Sequence, residues 1–206
     1  EGRFERSLIP IYHDDGTLAL AVDEHPRAGT SLADLAKLTP SFEGMGGYKK
    51  DPEGLTIDET ARLAYPHISG INHVHHGGNS SGVVDGGAAV LVTSPDYAKA
   101  HGLKPRARII MSAVAGTEPV IMLTAPGPAA KLVLKKAGMT FDDIDLFEVN
   151  EAFAVQVLAF LDHFGIADDD PRVNPYGGAI AVGHPLASSG VRLMLNLART
   201  FEEKPE

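Results

Sequence analysis

The sequence lacks cysteine entirely, and it also lacks tryptophan. Without cysteine, the 206 residues hold no disulfide, no thiolate metal ligand and no cysteine nucleophile. Basic residues are scarce: 18 Lys and Arg stand against 27 Asp and Glu, which leaves a net charge of −9 and no basic run. This charge balance argues against a nucleic-acid-binding protein.

Long apolar runs are missing as well. No stretch approaches the roughly 20 residues that a helix needs to cross a bilayer, and no segment resembles a signal peptide. We therefore expect a cytoplasmic protein with no membrane span. The 206 residues are enough for one large core or two small ones. Because the chain begins at Glu1 rather than at methionine, we expect it to be a piece of a longer protein.

Hydrophobic periodicity and turn residues predict alternating strands and helices. Two strands at 8–12 and 17–22, joined by an Asp-Gly turn, predict a β-hairpin. Caps and breakers predict further helices and strands. The predicted helices are 30–38, 56–64, 94–102, 128–137, 151–164 and 189–201; the predicted strands are the end of 79–93, then 108–115, 146–149 and 179–182. This order indicates an α/β fold with a mixed sheet, and the apolar helix 151–164 is expected to be buried all round.

Residues 43–78 differ in composition from the rest of the chain, because they are rich in Gly, His, Lys and Asp. The segment is expected to be a long surface excursion that shapes a binding site. It contains His67, His73, His75 and His76, and clustered imidazoles are typical of metal ligands. No carboxylate stands at a suggestive spacing from them, so a polar loop is the favoured interpretation and no metal is predicted.

Two strand-to-helix joints carry polar side chains. Asn150 follows the strand 146–149 and is expected in the N-cap region of the next helix. His184 follows the run 179–182 and lies between Gly183 and Pro185, at the start of another helix. Each joint has a purely structural explanation, as a cap or a rigid turn. Each also suits a reactive group, because α/β folds bind ligands at the carboxyl ends of their strands.

Three blocks of this sequence together resemble the signature blocks of the thiolases. They are Asn150-Glu-Ala-Phe153, then 177–185 with Ser189-Gly190, and Asn79-Ser-Ser-Gly82 with Asp85-Gly86. Thiolases are acyl-CoA acyltransferases that make or cleave 3-ketoacyl-CoA. The resemblance implies a layered αβαβα fold, incomplete in this chain, with the last part of the loop and N-terminal domains and most of the C-terminal domain.

The resemblance also implies roles for individual residues. His184 would accept the proton of a nucleophilic cysteine and help to form an oxyanion hole, and Asn150 would hold a water that completes it. Ser81 would touch the pantetheine arm of CoA, while Ala152 and Phe153 would line the acyl end of the pocket. The family implies acyl-CoA as substrate, no permanently bound cofactor, and a homodimer or homotetramer.

The family pattern divides the chain into three parts. Residues 1–78 would end the loop domain, with a subfamily insertion at 43–78; residues 79–105 would close the N-terminal domain; residues 106–206 would form the C-terminal domain without its final strands. The two cysteines of the family are absent here. The main hypothesis is a thiolase fragment whose activity belongs to the intact parent. The alternative is a non-catalytic acyl-CoA-binding or assembly subunit with a degenerate thiolase fold.

We predict that the 206-residue chain alone has no thiolase activity, because without a thiolate no acyl-enzyme forms. The measurement is thiolysis of acetoacetyl-CoA by the purified polypeptide. Detectable turnover would refute the prediction.

Overall fold

The computed structural model describes residue 2 and residues 4–203 of the chain. Positions 1, 3 and 204–206, which form the outer limits of the first and last predicted domains, lie outside the described residues. Near the N-terminus, strand β1 (Ile11–Tyr12) pairs antiparallel with β2 (Leu18–Leu20). The turn closes because Asp15 accepts hydrogen bonds from the backbone and hydroxyl of Thr17, at 2.9 and 2.6 Å. The predicted hairpin is confirmed, although its strands are shorter.

Three helices begin at the residues that their caps predict, whereas the helices predicted from 128, 151 and 189 begin at 126, 154 and 186. Ser31, Thr56 and Ser94 each accept a hydrogen bond from the backbone N–H three residues later, as N-cap side chains do. Gly138 and Gly165 end two of the later helices in the left-handed conformation. The helices are α1 (Leu32–Leu35), α2 (Glu43–Gly46), α3 (Ile57–Ala64), α4 (Pro95–Ala100), α5 (Pro126–Ala137), α6 (Ala154–Phe164), α7 (Ala179–Val182) and α8 (Leu186–Glu203).

The core is small and aromatic. Val149, Phe160 and Leu161 are buried at the contact between α5, α6 and the segment before α6. Phe141 stacks on Phe147 and on Phe164, with ring centroids 4.8 and 3.9 Å apart. These contacts hold residues 141–149 against α6, so the chain leaves this core directly at Asn150.

The predicted strand at 179–182 is wrong, because these residues form the short helix α7. A four-residue apolar run cannot be assigned from periodicity alone, and alanine at 179 and 181 favours a helix. Tertiary contact then selects the helix: the carboxylate of Glu151 accepts a hydrogen bond from Ile180 N at 3.0 Å, within the first turn. Such an acceptor satisfies one of the donors that a helix N-terminus leaves free.

The other predicted strands do not form a sheet within the described residues. There, β1 and β2 make the only strand ladder, and Phe147 makes an isolated parallel bridge with Val173. The segments 88–93 and 108–115 are largely exposed; Leu91 is 72% exposed and Val114 is 91% exposed. A strand requires a neighbour that takes up its backbone hydrogen bonds, and no described segment offers one to them.

Helix α6 is not buried all round, as the sequence predicted. One face packs on the aromatic core, whereas Val155 and Leu158 on another face are 51% and 46% exposed. Met194 and Phe201 of α8 are also exposed. Among the described residues, no helix combines the length and the apolar character that crossing a membrane requires.

We predict that the isolated chain self-associates, because exposed apolar side chains on several segments are stabilised when they leave water. Light scattering coupled to gel filtration measures the mass in solution. The prediction fails if the chain elutes as a monodisperse 21.8 kDa monomer with a cooperative thermal transition.

Candidate functional site

Backbone hydrogen bonds join three distant segments at residues 79–82. Ser81 N donates to Ala152 O at 3.0 Å, and Asn79 O accepts from Ala154 N at 2.9 Å. On the other side, Gly82 O accepts from His184 N at 2.8 Å. Ser80 also bridges Phe153 in antiparallel fashion. The short segment 79–82 therefore holds both predicted strand-to-helix joints, and it brings Ser81, Ala152, Phe153 and His184 together.

The imidazole of His184 lies between two side chains. Its Nδ1 is 2.5 Å from the buried hydroxyl of Ser189, and its Nε2 is 3.5 Å from Asn150 Nδ2. The Ser189 hydroxyl also donates to Pro185 O at 3.1 Å, which leaves its oxygen free to accept from Nδ1–H. The amide Nδ2 of Asn150 is a donor only. Both contacts favour the tautomer in which Nε2 carries a lone pair and faces Asn150.

Asn150 lies outside the helix that it was predicted to cap. Helix α6 begins at Ala154 with Phe153 at its N-cap position, so Asn150 precedes the helix by several residues. The reason is that residues 151–153 are held by the contacts with other segments described here rather than by α6. Asn150 Oδ1 is buried and has no hydrogen-bond partner among the described residues. A buried unpaired acceptor is an atom that a water or a ligand normally satisfies.

A side-chain brace of Glu151 and Asn174 fixes the backbone around Asn150. Asn174 Oδ1 accepts from Val149 N at 2.7 Å, and its Nδ2 donates to Val149 O at 2.9 Å and to Glu151 Oε1 at 2.8 Å. The second carboxylate oxygen of Glu151 binds the first turn of α7, as described above. The brace therefore links the segment before Asn150 to the helix before His184. Asn174 has φ +45, a left-handed conformation that asparagine tolerates better than most residues.

The backbone at Gly183 admits no side chain. Its φ is +84, and a Cβ at this position would collide with the side chain of Val84. A similar constraint holds at Gly86, where a Cβ would lie 2.6 Å from Pro185. The segment after residue 82 and the histidine turn are thus in direct contact on both sides of His184, and glycine permits the approach.

Phe153 is contacted by residues that precede the signature block at 79–82. Its ring lies 5.8 Å from Phe42 in a T-shaped arrangement and 4.8 Å from the His75 ring. His75 is fixed by a hydrogen bond from Ser41 N to its carbonyl, at 2.8 Å. Part of the histidine-rich excursion therefore packs on a predicted site residue instead of projecting into solvent.

The histidine-rich segment does contact a carboxylate, contrary to what its spacing indicated. His73 Nε2 lies 2.9 Å from Asp58 of α3, which is 15 residues away in sequence. His76 instead accepts a hydrogen bond from Gly78 N through Nδ1, at 3.0 Å. Among the described residues, no three potential metal-ligating side chains are grouped closely enough to hold an ion.

Two charged residues that sequence reasoning did not single out lie behind the site. Glu148 precedes Asn150 by two residues, and burial raises the pKa of its carboxyl to about 7, a rise that Arg192 opposes and Glu151 reinforces. Burial also lowers the pKa of the Arg192 guanidinium. Because the pKa of Glu148 is raised in the folded protein, its protonated carboxyl contributes fully to the unfolding free energy below the unfolded-state pKa. This contribution is lost as the pH rises through about 7.

His25 was also missed, because nothing in its own neighbourhood in the sequence indicates a role. Its Nε2 lies 3.3 Å from Ile180 O, across 155 residues, and its ring occupies the space that a side chain at Gly82 would need. Glu151 stands within a signature block, so it carried some signal, whereas Asn174 lies outside the three blocks. His25 carried none.

The fold and the arrangement of His184, Asn150 and Ser189 can be compared with those of known protein families. Residues 103–206 match the family described as thiolase, C-terminal domain. The chain belongs to the thiolase family, and the fold is part of the thiolase α/β fold. Both expectations from the sequence are confirmed, despite the strands that do not form.

Relatives with known names support this assignment. The chain is 42% identical over 206 residues to a β-ketoadipyl-CoA thiolase of Acinetobacter baylyi, covering 98% of this chain and 45% of that protein. It is 53% identical over 140 residues to the 3-oxoadipyl-CoA/3-oxo-5,6-dehydrosuberyl-CoA thiolase of Escherichia coli, covering 68% and 34%. Human mitochondrial 3-ketoacyl-CoA thiolase in complex with CoA is structurally similar, with a TM-score of 0.76, 38% identity and coverage of 99% and 44%. The chain thus spans less than half the length of these relatives.

We predict that Asn174→Ala destabilises the protein by several kcal/mol. It removes three hydrogen bonds worth about 1 kcal/mol each and places alanine in a left-handed conformation that costs about 1–2 kcal/mol. Chemical denaturation measures the change in unfolding free energy. Asn174→Gly is the matched control, since it removes the same bonds and tolerates φ +45; it should be less destabilised by about 1 kcal/mol. Equal stability of Asn174→Ala and the unsubstituted protein would contradict the brace.

Proposed function

We propose that this chain is the C-terminal part of a thiolase that makes or cleaves 3-ketoacyl-CoA through a cysteine acyl-enzyme. The observation that carries the proposal is the pairing of His184 Nε2 with Asn150 Nδ2 at 3.5 Å, with Ser189 behind the ring. Since the chain spans about 45% of its relatives and has no cysteine, the nucleophile comes from outside these 206 residues.

The proposed chemistry follows from the tautomer of His184. The lone pair on Nε2 accepts the proton of a cysteine thiol, and the thiolate then attacks the carbonyl of the acyl group. The imidazolium formed in this step donates to the developing oxyanion. When the carbonyl re-forms, the bond to the leaving carbon or sulfur breaks, the leaving group takes up the proton held by the imidazolium, and the cysteine holds the acyl group. Asn150 contributes through its unpaired Oδ1, which suits a bound water at the same centre.

The proposed substrate is an acyl-CoA. Ser81 would contact the pantetheine arm, and Ala152 and Phe153 would line the acyl end. The hydrogen bond between Ser81 N and Ala152 O supports this division, because the two residues are neighbours and the proposed subsites would adjoin. Several relatives are named for β-ketoadipyl-CoA or 3-oxoadipyl-CoA, so a 3-ketoacyl chain ending in a carboxylate is a suitable test substrate alongside acetoacetyl-CoA.

The proposed organisation keeps the three parts 1–78, 79–105 and 106–206, with 43–78 as a subfamily insertion. The contacts of Phe42 and His75 with Phe153 support a role of this region in shaping the acyl end. We also propose that the intact protein is a homodimer or homotetramer, which would cover part of the exposed apolar surface. The alternative, a non-catalytic acyl-CoA-binding or assembly subunit, has no observation in its favour, because the His184 and Asn150 pair is present and oriented.

The experiment compares His184→Ala with Asn150→Ala in the full-length protein that carries this sequence. His184→Ala should lose far more turnover, because general acid–base assistance contributes about 10²–10⁴-fold and an oxyanion donor about 10²–10³-fold. The two losses act on one transition state and will not simply add. Asn150 acts through a water, and a second water can replace part of its amide.

Alkylation of the nucleophilic cysteine by iodoacetamide gives a second, independent measurement. His184→Ala should slow it because the thiolate loses its cationic partner, whereas Asn150→Ala should leave it nearly unchanged. If His184→Ala is alkylated as fast as the unsubstituted protein, His184 is not the activating base. Mass spectrometry of the native protein tests the alternative: a complete gene product of only about 22 kDa would favour the non-catalytic subunit.

A further inference from the structure

The guanidinium of Arg192 is bonded to the peptide that carries His184. Arg192 lies in the second turn of α8, and its Nη2 donates to Gly183 O at 3.2 Å. Gly183 immediately precedes His184 and has a positive φ, so its carbonyl direction depends on how this peptide is held. A bond to that carbonyl therefore constrains the position of the imidazole without touching it.

The second charged group is Glu148, which lies just before Asn150 in the other predicted strand-to-helix joint. It precedes Asn150 by two residues, and among the described residues its Oε2 is buried without a hydrogen-bond partner, as is Arg192 Nε. Unpaired charges inside a protein are costly, so above the Glu148 pKa of about 7, where its carboxyl is ionised, each of these groups depends on the field of the other. Arg192 is the cation that offsets the rise in the Glu148 pKa, and Glu151 is the second carboxylate acting on both.

We propose that Arg192 is a positioning residue for His184 and that Glu148 is its buried counter-charge, so that the two together set the spacing between His184 and Asn150. Neither residue contacts the reacting atoms. Arg192 acts through the carbonyl of Gly183, and Glu148 acts through Val149, the one residue that separates it from Asn150. This inference rests on the proposed function only in taking His184 and Asn150 as the reactive centre.

If Arg192 has only a structural role, its substitution is expected to have a different effect from the one that a positioning role predicts. If Arg192 only satisfied buried polar groups, its loss would lower the unfolding free energy and leave the environment of His184 in the folded protein unchanged. A positioning role changes the exposure and the reactivity of His184 in protein that is still folded. The two are separated by a measurement on the imidazole itself.

The experiment uses the full-length protein that carries this sequence, with Arg192→Gln, Arg192→Lys and Glu148→Gln. Arg199→Gln is the matched control, because Arg199 lies on the same helix and its side chain bonds to Ser7 rather than to the histidine turn. The readouts are the melting temperature, kcat and KM for thiolysis of acetoacetyl-CoA, and the rate at which diethyl pyrocarbonate labels His184. Peptide mapping gives the labelling of His184 relative to the exposed His163.

We expect Arg192→Gln to lower kcat by about 10–100-fold with KM nearly unchanged, because small misplacements of a catalytic group have effects of this size. Labelling of His184 relative to His163 should rise several-fold. Arg192→Lys should have a smaller effect than Arg192→Gln on both kcat and the labelling of His184, since an ammonium group keeps a donor and the positive charge. Glu148→Gln should act in the same direction as Arg192→Gln, and the double variant should lose less than the two single losses combined.

The proposal is overturned if Arg192→Gln changes only the melting temperature, or if Arg199→Gln changes the His184 labelling equally. If Arg192→Gln does not fold, Arg192→Lys and Glu148→Gln decide, because normal labelling and kcat in both would refute it. Should the unsubstituted protein not cleave acetoacetyl-CoA or 3-oxoadipyl-CoA, the proposed function fails, while the labelling of His184 still tests the positioning role separately.

Discussion

The hydrogen bonds made by the backbone of residues 79–82 are the constraint on which the rest of the site depends. One edge of this short segment binds the residues that follow Asn150, and the other binds His184 and the helix before it. Without this segment, the two joints would be linked only through side chains, by the Glu151 and Asn174 brace and by the contact between Asn150 and His184. Because main-chain bonds do not depend on side-chain rotamers, they hold the backbones of the two joints at a fixed separation.

Two groups of side chains support the segments that this backbone joins: one is apolar and the other is charged. The clustered phenylalanines at 141, 147, 160 and 164 hold the segment before Asn150 against α6. The charged support consists of Glu148, Glu151 and Arg192, which share one region of low solvent access behind the histidine turn. Desolvation strengthens the interactions between such charges.

The family assignment explains why several apolar segments of this chain are exposed to solvent. The chain resembles thiolases along nearly its whole length, yet it corresponds to less than half of theirs. A path that follows the thiolase fold without a completed sheet explains why segments such as 108–115 are apolar and yet exposed. Their composition fits a buried strand, and the strand appears only when neighbouring backbone takes up its hydrogen bonds.

What the sequence by itself determined were the features with local causes. The caps at Thr56 and Ser94 and the Asp-Gly hairpin turn follow from side chains that bond within three residues. The ends of α5 and α6 follow from the left-handed conformation that glycine adopts at 138 and 165. The thiolase blocks likewise singled out His184 and Asn150, whose side chains lie 3.5 Å apart in the structure. Only the tertiary structure decided that 179–182 is a helix, that α6 begins after Asn150, and that His25, Asn174 and Arg192 belong to the site's surroundings. Each of these depends on a contact with a segment far away in the sequence, such as the 155 residues between His25 and Ile180, and no local pattern encodes such a contact.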